Sequence, residues 1–410
     1  MLSKATYEQL PTHNGSKTKA WHCKTKRVCI IFLVFFTLGI GLHRTGFTRS
    51  LLGAGRCSKY TPSTGEGLPT HYTLPSGDKI PSVALGLWKA GKNKVGRAVQ
   101  TAVKSGYQHL DGAWIYGNEA EVGAALKRTN ILREDIWLTS KVSKPTILPR
   151  VRMLICPCQL WNSFHDPEDV ENALDESLSR LGTDYLDLYL IHWSVKFAFA
   201  NMFTYLLRNL TLRPLALNKD GSVYNQELTD DPYPTWKKLE ELVDKGKIRN
   251  IGVSNFNIRR IQNLTANPLK YPPAVNQVEI NFWFPQPELL AWSKEYGILL
   301  EAYSPLGGDG PVGETLSVPV VKEIAAELDI TPAQVINSWH VQRGTVVLPK
   351  SVTPCRVEEN LHSTLTNLSW IVTKLPDELF EKLETAAISH EPKRGVNPSK
   401  GWGIDFDIFD

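Results

Sequence analysis

GYQHLDGAWIYGNEAEVG, residues 106–123, is the stretch from which the rest of the chain can be read. HLDGA within it has the short apolar character of a strand, and from Glu119 the pattern changes to that of a helix. Between the two stand an acid, Asp111, and a phenol, Tyr116, five positions apart at the strand's end. The same unit recurs downstream. IWLTSK ends on Lys141 and is followed by a helix from Asp169, and YLDLYLIHW carries His192 near its end before a helix from Thr235. Asp111, Tyr116, Lys141 and His192 thus make one proton-handling set on three successive strand ends.

VALGLW, with a helix from Val95, precedes this block; RNIGVSNF, AVNQVEI, ILLEAYSPL and TVVLPKS continue it, separated by helical runs such as Gln286 to Tyr296 and Pro332 to Gln342. Eight strands alternating with helices imply a parallel α/β sheet, and the count favours closure into a (β/α)8 TIM barrel. Chemistry in such barrels sits at the C-terminal strand ends, where the four residues fall. A hairpin, HYTLPSGDKIPSV, turns at Ser76 and Gly77 ahead of the first strand.

Size and composition fit one catalytic barrel. The chain has 410 residues, 42% of them hydrophobic, and a net charge of only +4, with no basic block along a domain helix, so no nucleic-acid partner is expected. Six cysteines are too scattered for a disulfide framework, which suits a reducing compartment. Cys156 and Cys158 have no second ligand pair nearby, and no metal site is expected.

Outside the barrel, residues 1–27 form a basic tail, residues 28–42 an apolar run, VCIIFLVFFTLGIGL, and residues 43–67 a linker that becomes rich in Gly, Ser, Thr and Pro from Gly53; the barrel occupies 68–410. The apolar run is expected to anchor the protein in a membrane as a single transmembrane helix, although it is shorter than the roughly 17 to 25 residues usual for a span. A cleaved signal peptide and a misassigned gene start are the alternatives. Orientation stays open: the basic flank favours a lumenal domain, whereas the scarcity of cysteines favours the cytoplasm.

The motifs resemble the aldo-keto reductase family. Its first signature is similar to residues 106–123, and GVSNF (252–256), NQVE (276–279), EAYSPL (301–306) and LPKSVTPCRVEEN (348–360) follow in family order. The resemblance implies a catalytic set of Tyr116, Lys141, Asp111 and His192, with Tyr116 as the acid that protonates a carbonyl oxygen. A free phenol has a pKa of about 10, which a neighbouring ammonium lowers, so Lys141 is expected to activate Tyr116, with Asp111 holding Lys141 and His192 orienting the substrate.

The resemblance also implies a nicotinamide cofactor. Ser254, Asn255 and Gln277 match positions that bind the carboxamide, Tyr303 the aromatic stacked on the ring, and Ser304 and Leu306 the pyrophosphate path. Lys350, Ser351, Thr353 and Arg356 match the 2′-phosphate site, with Glu359 and Asn360 near the adenine; two cations there favour NADPH/NADP over NAD. Trp88, Trp161 and Trp193, with His192, would line an apolar pocket for a small aldehyde or ketone, Trp114 being at a variable family position. The stretches 231–257 and 390–403 look most like fungal members acting on glycerol or simple aldehydes. A monomeric barrel is expected. The alternative is a non-catalytic, membrane-tethered barrel serving as a binding or sensor subunit.

The chain departs from that pattern in places. Val142 to Gln159, VSKPTILPRVRMLICPCQ, separates Lys141 from LWN and has no periodicity, and its ends can be encoded as the ends of an intron. A retained intron and a real loop both fit. Residues 200–213 and 363–373 are also longer than expected, and Ser194 stands where the family often has proline. GGDGPVG, around Gly308, Gly310 and Gly313, matches a dinucleotide fingerprint by chance, since Asp309 and Pro311 spoil its turn.

Overall fold

The computed structural model describes residues 68–142, 165–197, 224–308, 312–361, 374–399, 404 and 406–409. Strands β1 (His71–Thr73) and β2 (Lys79–Pro81) form the expected hairpin, with Gly77 taking the positive φ of 93° that the turn needs. Asn250 ties it to the barrel, accepting from Ser76 Oγ at 2.6 Å and donating to Asp78 Oδ2 at 2.7 Å.

Four strands build the first half of the barrel: β3 (Leu85–Gly86), β4 (His109–Asp111), β5 (Trp137–Val142) and β6 (Leu186–Ile191). After the short antiparallel pair β7 (Lys196–Phe197) and β8 (Tyr224–Asn225) come β9 (Ile248–Ser254), β10 (Val275–Glu279), β11 (Leu299–Tyr303) and β12 (Val346–Leu348). The eight barrel strands run parallel in the order β12-β11-β10-β9-β6-β5-β4-β3. Val83, just before β3, bridges Val347 on β12, and Ala84 N and Val347 N donate to Val347 O and Ser82 O at 2.9 Å, which closes the sheet on itself.

Helices cover the outside: α1 (Val95–Lys104), α2 (Glu119–Thr129), α3 (Pro167–Leu181), α4 (Gln226–Asp230), α5 (Tyr233–Asp244), α6 (Ile258–Thr265), α7 (Pro287–Tyr296), α8 (Val312–Thr315), α9 (Pro319–Glu327), α10 (Pro332–Gln342), α11 (Pro354–Leu361) and α12 (Asp377–Ile388). α1 buries one stripe, with Val95, Ala98, Val99 and Ala102 spaced for a period of 3.6, whereas α10 is buried from Ala333 through Val341 on every side. Gly123 lets α2 lie directly on the end of α3, since a Cβ there would meet Arg180 O and Leu181 O at 2.5 Å.

The strands β5, β6 and β10 are buried at every residue, as parallel strands with both faces covered must be. A polar side chain on them has no water to turn to. That is why Asp111, Lys141, Gln277 and Glu301, each at most 4% exposed, have to satisfy one another.

One expectation is corrected. Among the described residues no helix is long and apolar enough to cross a membrane, so the membrane, transmembrane and single-pass assignments are withdrawn. Fifteen residues, 28–42, reach only about 22 Å as a helix against a hydrocarbon core of about 30 Å. That run, the basic tail and the whole linker, residues 1–67 together, lie outside the described residues. Residues 143–164, 200–213 and 363–373 do as well, while Val142 itself is the buried last residue of β5. Every cysteine except the exposed Cys355 also falls outside them.

Candidate active site

Asp111 ends β4 and Lys141 is the penultimate residue of β5, so adjacent strands bring them together at the C-terminal end of the barrel. Lys141 Nζ donates to Asp111 Oδ1 at 2.8 Å, to Oδ2 at 2.9 Å and to Gly112 O at 2.7 Å. Burying a lone ammonium costs several kcal/mol, at least about 3, so this pairing is what makes the fully buried lysine tolerable. Burial works against the charge on Lys141, yet Asp111, Tyr116 and Glu301 outweigh it and its pKa is raised.

Tyr116 sits on a single 3-10 turn, Trp114–Tyr116, that Gly117 ends with φ of 65°. Lys141 Nζ lies 5.4 Å from the centre of its ring, and the His192 ring stands edge-on at 6.2 Å and 74°. The phenol is half-buried at the C-terminal end of the barrel. Burial pushes it up to about 12, against the pull of Lys141 and with a further upward push from Asp111. Lys141 was expected to lower this value, and its contribution has that sign, but burial outweighs it. His192 is held well below the usual imidazole range by burial first and then by Lys141 and His165, so it is neutral.

Behind the pair, Gln277 Nε2 donates to Asp111 Oδ1 and to Glu301 Oε2, both at 2.8 Å. Beside it runs a second hydrogen-bonded chain. Tyr303 Oη donates to Asn255 Oδ1 at 2.8 Å, Asn255 Nδ2 donates to His192 O at 2.9 Å, and Ser254 Oγ donates to Gln277 O at 2.8 Å. Asn255 and Ser304 take positive φ of 64° and 52°, which turns the chain sharply just past β9 and β11. The structure therefore brings Ser254, Asn255, Gln277 and Tyr303 together beside His192. Ser304 and Leu306, both half-buried, continue from β11.

The remaining sequence candidates lie farther out. Lys350, Thr353 and Arg356 are exposed and Ser351 half-buried around the start of α11, while half-buried Glu359 and buried Asn360 lie in its last turn. Trp88 is half-buried under the Lys89 ammonium, 4.4 Å from its ring. Trp193 is buried, stacked on His192 at 6.1 Å. Trp114 packs under the Arg180 guanidinium at 4.7 Å, and Trp161 lies outside the described residues.

Sequence reasoning missed three contributors. Glu301 and Glu279 were quoted inside motifs without a role, although both are acids on buried strands, Glu301 among apolar neighbours. The third is the C-terminal tail. Glu279 accepts from Gly395 N at 2.9 Å and Val396 N at 2.8 Å, Asn257 Nδ2 donates to Phe409 O at 2.6 Å, and Phe409 meets Trp193 edge-on at 6.1 Å. Ile404 and Ile408 pack with Trp193 and Val195, so the tail closes one wall of the mouth beside His192.

Comparison with known proteins agrees with this geometry. The sequence profile of the Aldo/keto reductase family matches residues 82–379. The chain is 39% identical over 350 residues to glycerol 2-dehydrogenase (NADP(+)) of Saccharomyces cerevisiae, covering 85% of this chain and 99% of that protein. It is 36% identical to aldehyde reductase YPR1 of the same yeast, again over 85% and 99%. Among solved structures, the aldose reductase from Schistosoma japonicum superposes with a TM-score of 0.64 at 35% identity, covering 81% of this chain and 96% of that one.

Proposed function

Because the chain belongs to the aldo/keto reductase family, we propose that this oxidoreductase reduces small aldehydes and ketones to alcohols with NADPH, using Tyr116 as the acid. One observation carries the assignment of roles: a buried Lys141–Asp111 pair lies beneath a protonated phenol, with a neutral imidazole beside it. The non-catalytic alternative has no comparable support.

The residues present fit a nicotinamide dinucleotide phosphate. Tyr303 offers a partly exposed aromatic ring beside the Ser254–Asn255–Gln277 cluster. Lys350 and Arg356 are exposed cations with no ion pair among the described residues, flanking the N-terminus of α11, as an anion site requires. When bound there, the cofactor supplies the hydride. Ser254, Asn255 and Gln277 would hold its carboxamide, Tyr303 would support the ring, and Ser304 and Leu306 would lie along the pyrophosphate. Lys350, Ser351, Thr353 and Arg356 would take the 2′-phosphate, with Glu359 and Asn360 near the base.

Carbonyl reduction needs a proton at oxygen as the hydride reaches carbon. Tyr116 keeps its proton at neutral pH and is the donor. The ammonium of Lys141 offsets negative charge developing on the phenol oxygen, and Asp111 fixes that ammonium in place. His192, being neutral, can donate a hydrogen bond to the carbonyl oxygen without competing as an acid. Trp88, Trp161 and Trp193 with the tail would exclude water and favour small apolar substrates. Glycerol-derived and simple aldehydes are the first to try, given the names of the relatives. The domain is taken as 68–410, acting as a monomer.

The test is NADPH oxidation by the purified chain with a small aldehyde, in wild type and Tyr116→Phe. The variant is expected to lose about 10²- to 10⁴-fold in turnover while still binding NADPH. Undiminished turnover would remove Tyr116 from its role.

A further inference from the structure

Glu301 is a buried acid that the mechanism above does not use. It sits on β11 opposite Gln277 of β10 and Val346 of β12, and its side chain has no exposure to solvent. Oε2 accepts from Gln277 Nε2, but Oε1 has no hydrogen-bond partner. The groups facing it are few. Asp111 and His109 come from β4 and Lys141 from β5, while β12 brings no titratable side chain.

His109 cannot donate to it. Its Nδ1 lies 3.3 Å from Pro81 O, which only accepts, so the proton is on Nδ1. Nε2 is left as an acceptor, 3.0 Å from Thr139 Oγ1 and 3.9 Å from Glu301 Oε1. An ionised Glu301 would therefore place an unsatisfied anionic oxygen beside a lone pair and a second negative charge behind Asp111. A neutral carboxyl avoids both, and then Asp111 and Lys141 alone balance to zero. Burial, with Asp111 next, pushes the Glu301 carboxyl up to about 8.

Gln277 has two amide protons, and both are committed, one to Asp111 and one to Glu301. Its carbonyl oxygen is left as the end available to a carboxamide. We propose that Glu301 is a positioning residue for the reaction: with Asp111 it fixes which way the Gln277 amide points, and its ionisation switches the charge behind the nicotinamide subsite. This rests on the reading of Gln277 as a carboxamide contact. The sign follows from charge alone. Burial and Asp111 hold Glu301 neutral to higher pH than an ordinary carboxyl, and its ionisation as pH rises would put an anion behind the subsite, which favours the cationic ring of NADP+ over the neutral ring of NADPH.

The experiment measures NADP+ and NADPH dissociation constants from pH 6 to 9 by intrinsic fluorescence. Titration of the phosphates affects both cofactors and cancels in their ratio. Wild type is expected to shift this ratio about tenfold toward NADP+ between pH 7 and 9, a size set by one charge at short range in a partly buried site. Glu301→Gln, which still accepts from Gln277, should bind NADPH within about threefold of wild type at pH 7 and show a flat ratio. Glu301→Leu, leaving one Gln277 proton without an acceptor, should weaken both cofactors about tenfold. Infrared spectroscopy of the cofactor-free protein gives an independent readout: a protonated-carboxyl band present at pH 7, diminished by pH 9 and absent in Glu301→Gln. A flat ratio in wild type, an unchanged slope in Glu301→Gln, or no such band would overturn the role of Glu301. Failure of wild type to bind either cofactor would instead overturn the cofactor reading, with the infrared band still deciding the protonation of Glu301.

Discussion

The floor of the barrel mouth and its outer rim handle charge in opposite ways. At the floor, Lys141, Asp111, Gln277 and Glu301 are almost wholly buried and bonded to one another at 2.8 to 2.9 Å. At the rim, Lys350 and Arg356 are exposed and have no ion pair among the described residues. Floor charges are part of the fold and cannot be removed cheaply; rim charges contribute little until an anion arrives. The floor is thus held together by its own charges, while the rim leaves its charges to solvent.

Removing Lys141 should break the floor most severely. Lys141→Met leaves Asp111 buried without its cation and is expected to cost about 3 to 5 kcal/mol in stability, whereas Lys350→Met should stay within about 0.5 kcal/mol. Urea unfolding of the two variants measures the contrast. Similar losses would erase the distinction between the two regions.

At the rim, Arg356→Ala should weaken NADPH binding about 10- to 100-fold and NADH binding much less, because only NADPH offers a 2′-phosphate to a charge-assisted bond. Titration calorimetry with both cofactors decides this. Equal losses would take Arg356 out of the phosphate site.

A further contrast concerns pH. Burial lowers the His109 pKa to about 3, whereas in the unfolded chain it is about 6.5. Between those values the unfolded state binds the extra proton, so stability falls as pH drops from about 6.5, by up to about 1.4 kcal/mol per pH unit for this residue. His109→Asn should flatten that slope, and no rim substitution should. An unchanged slope in the variant would mean that His109 titrates normally.

Smallest is the expected effect of deleting residues 143–159. Loop length costs only about 0.6 kcal/mol per doubling, so the barrel should fold without them and turn over aldehyde at least as fast. A deletion that abolishes turnover would make the segment part of the site.

Much of this arrangement was legible in the sequence. Strand HLD, the helix start at Glu119 and the end of IWLTSK at Lys141 all carry local signals of period and breaker residues, and they fall within a few residues of where the structure puts them. Asp111 and Lys141 were placed from the sequence for the same reason, since both stand at strand ends, whereas Tyr116 lies on the 3-10 turn after β4 and His192 just past β6. What could not be read depends on closure of the barrel. Gln277 meets Asp111 across 166 positions of chain, and Gly395 meets Glu279 across 116. No local pattern encodes such pairs. The raised pKa of Tyr116 was missed because sequence shows the neighbouring ammonium but not the burial that outweighs it. The membrane assignment rested on a run of 15 apolar residues, shorter than the roughly 17 to 25 usual for a span, and no helix among the described residues is long and apolar enough to cross a membrane.

The most direct test follows the hydride itself. NADPH carrying deuterium at the transferable ring position is incubated with a small aldehyde and the chain, and the alcohol is analysed by mass spectrometry. Wild type is predicted to place one deuterium on the carbinol carbon, and Tyr116→Phe, with NADPH still bound, to slow this by about 10²-fold or more. Alcohol formed without the label, or labelled equally fast by both proteins, would contradict hydride transfer with Tyr116 as the proton donor.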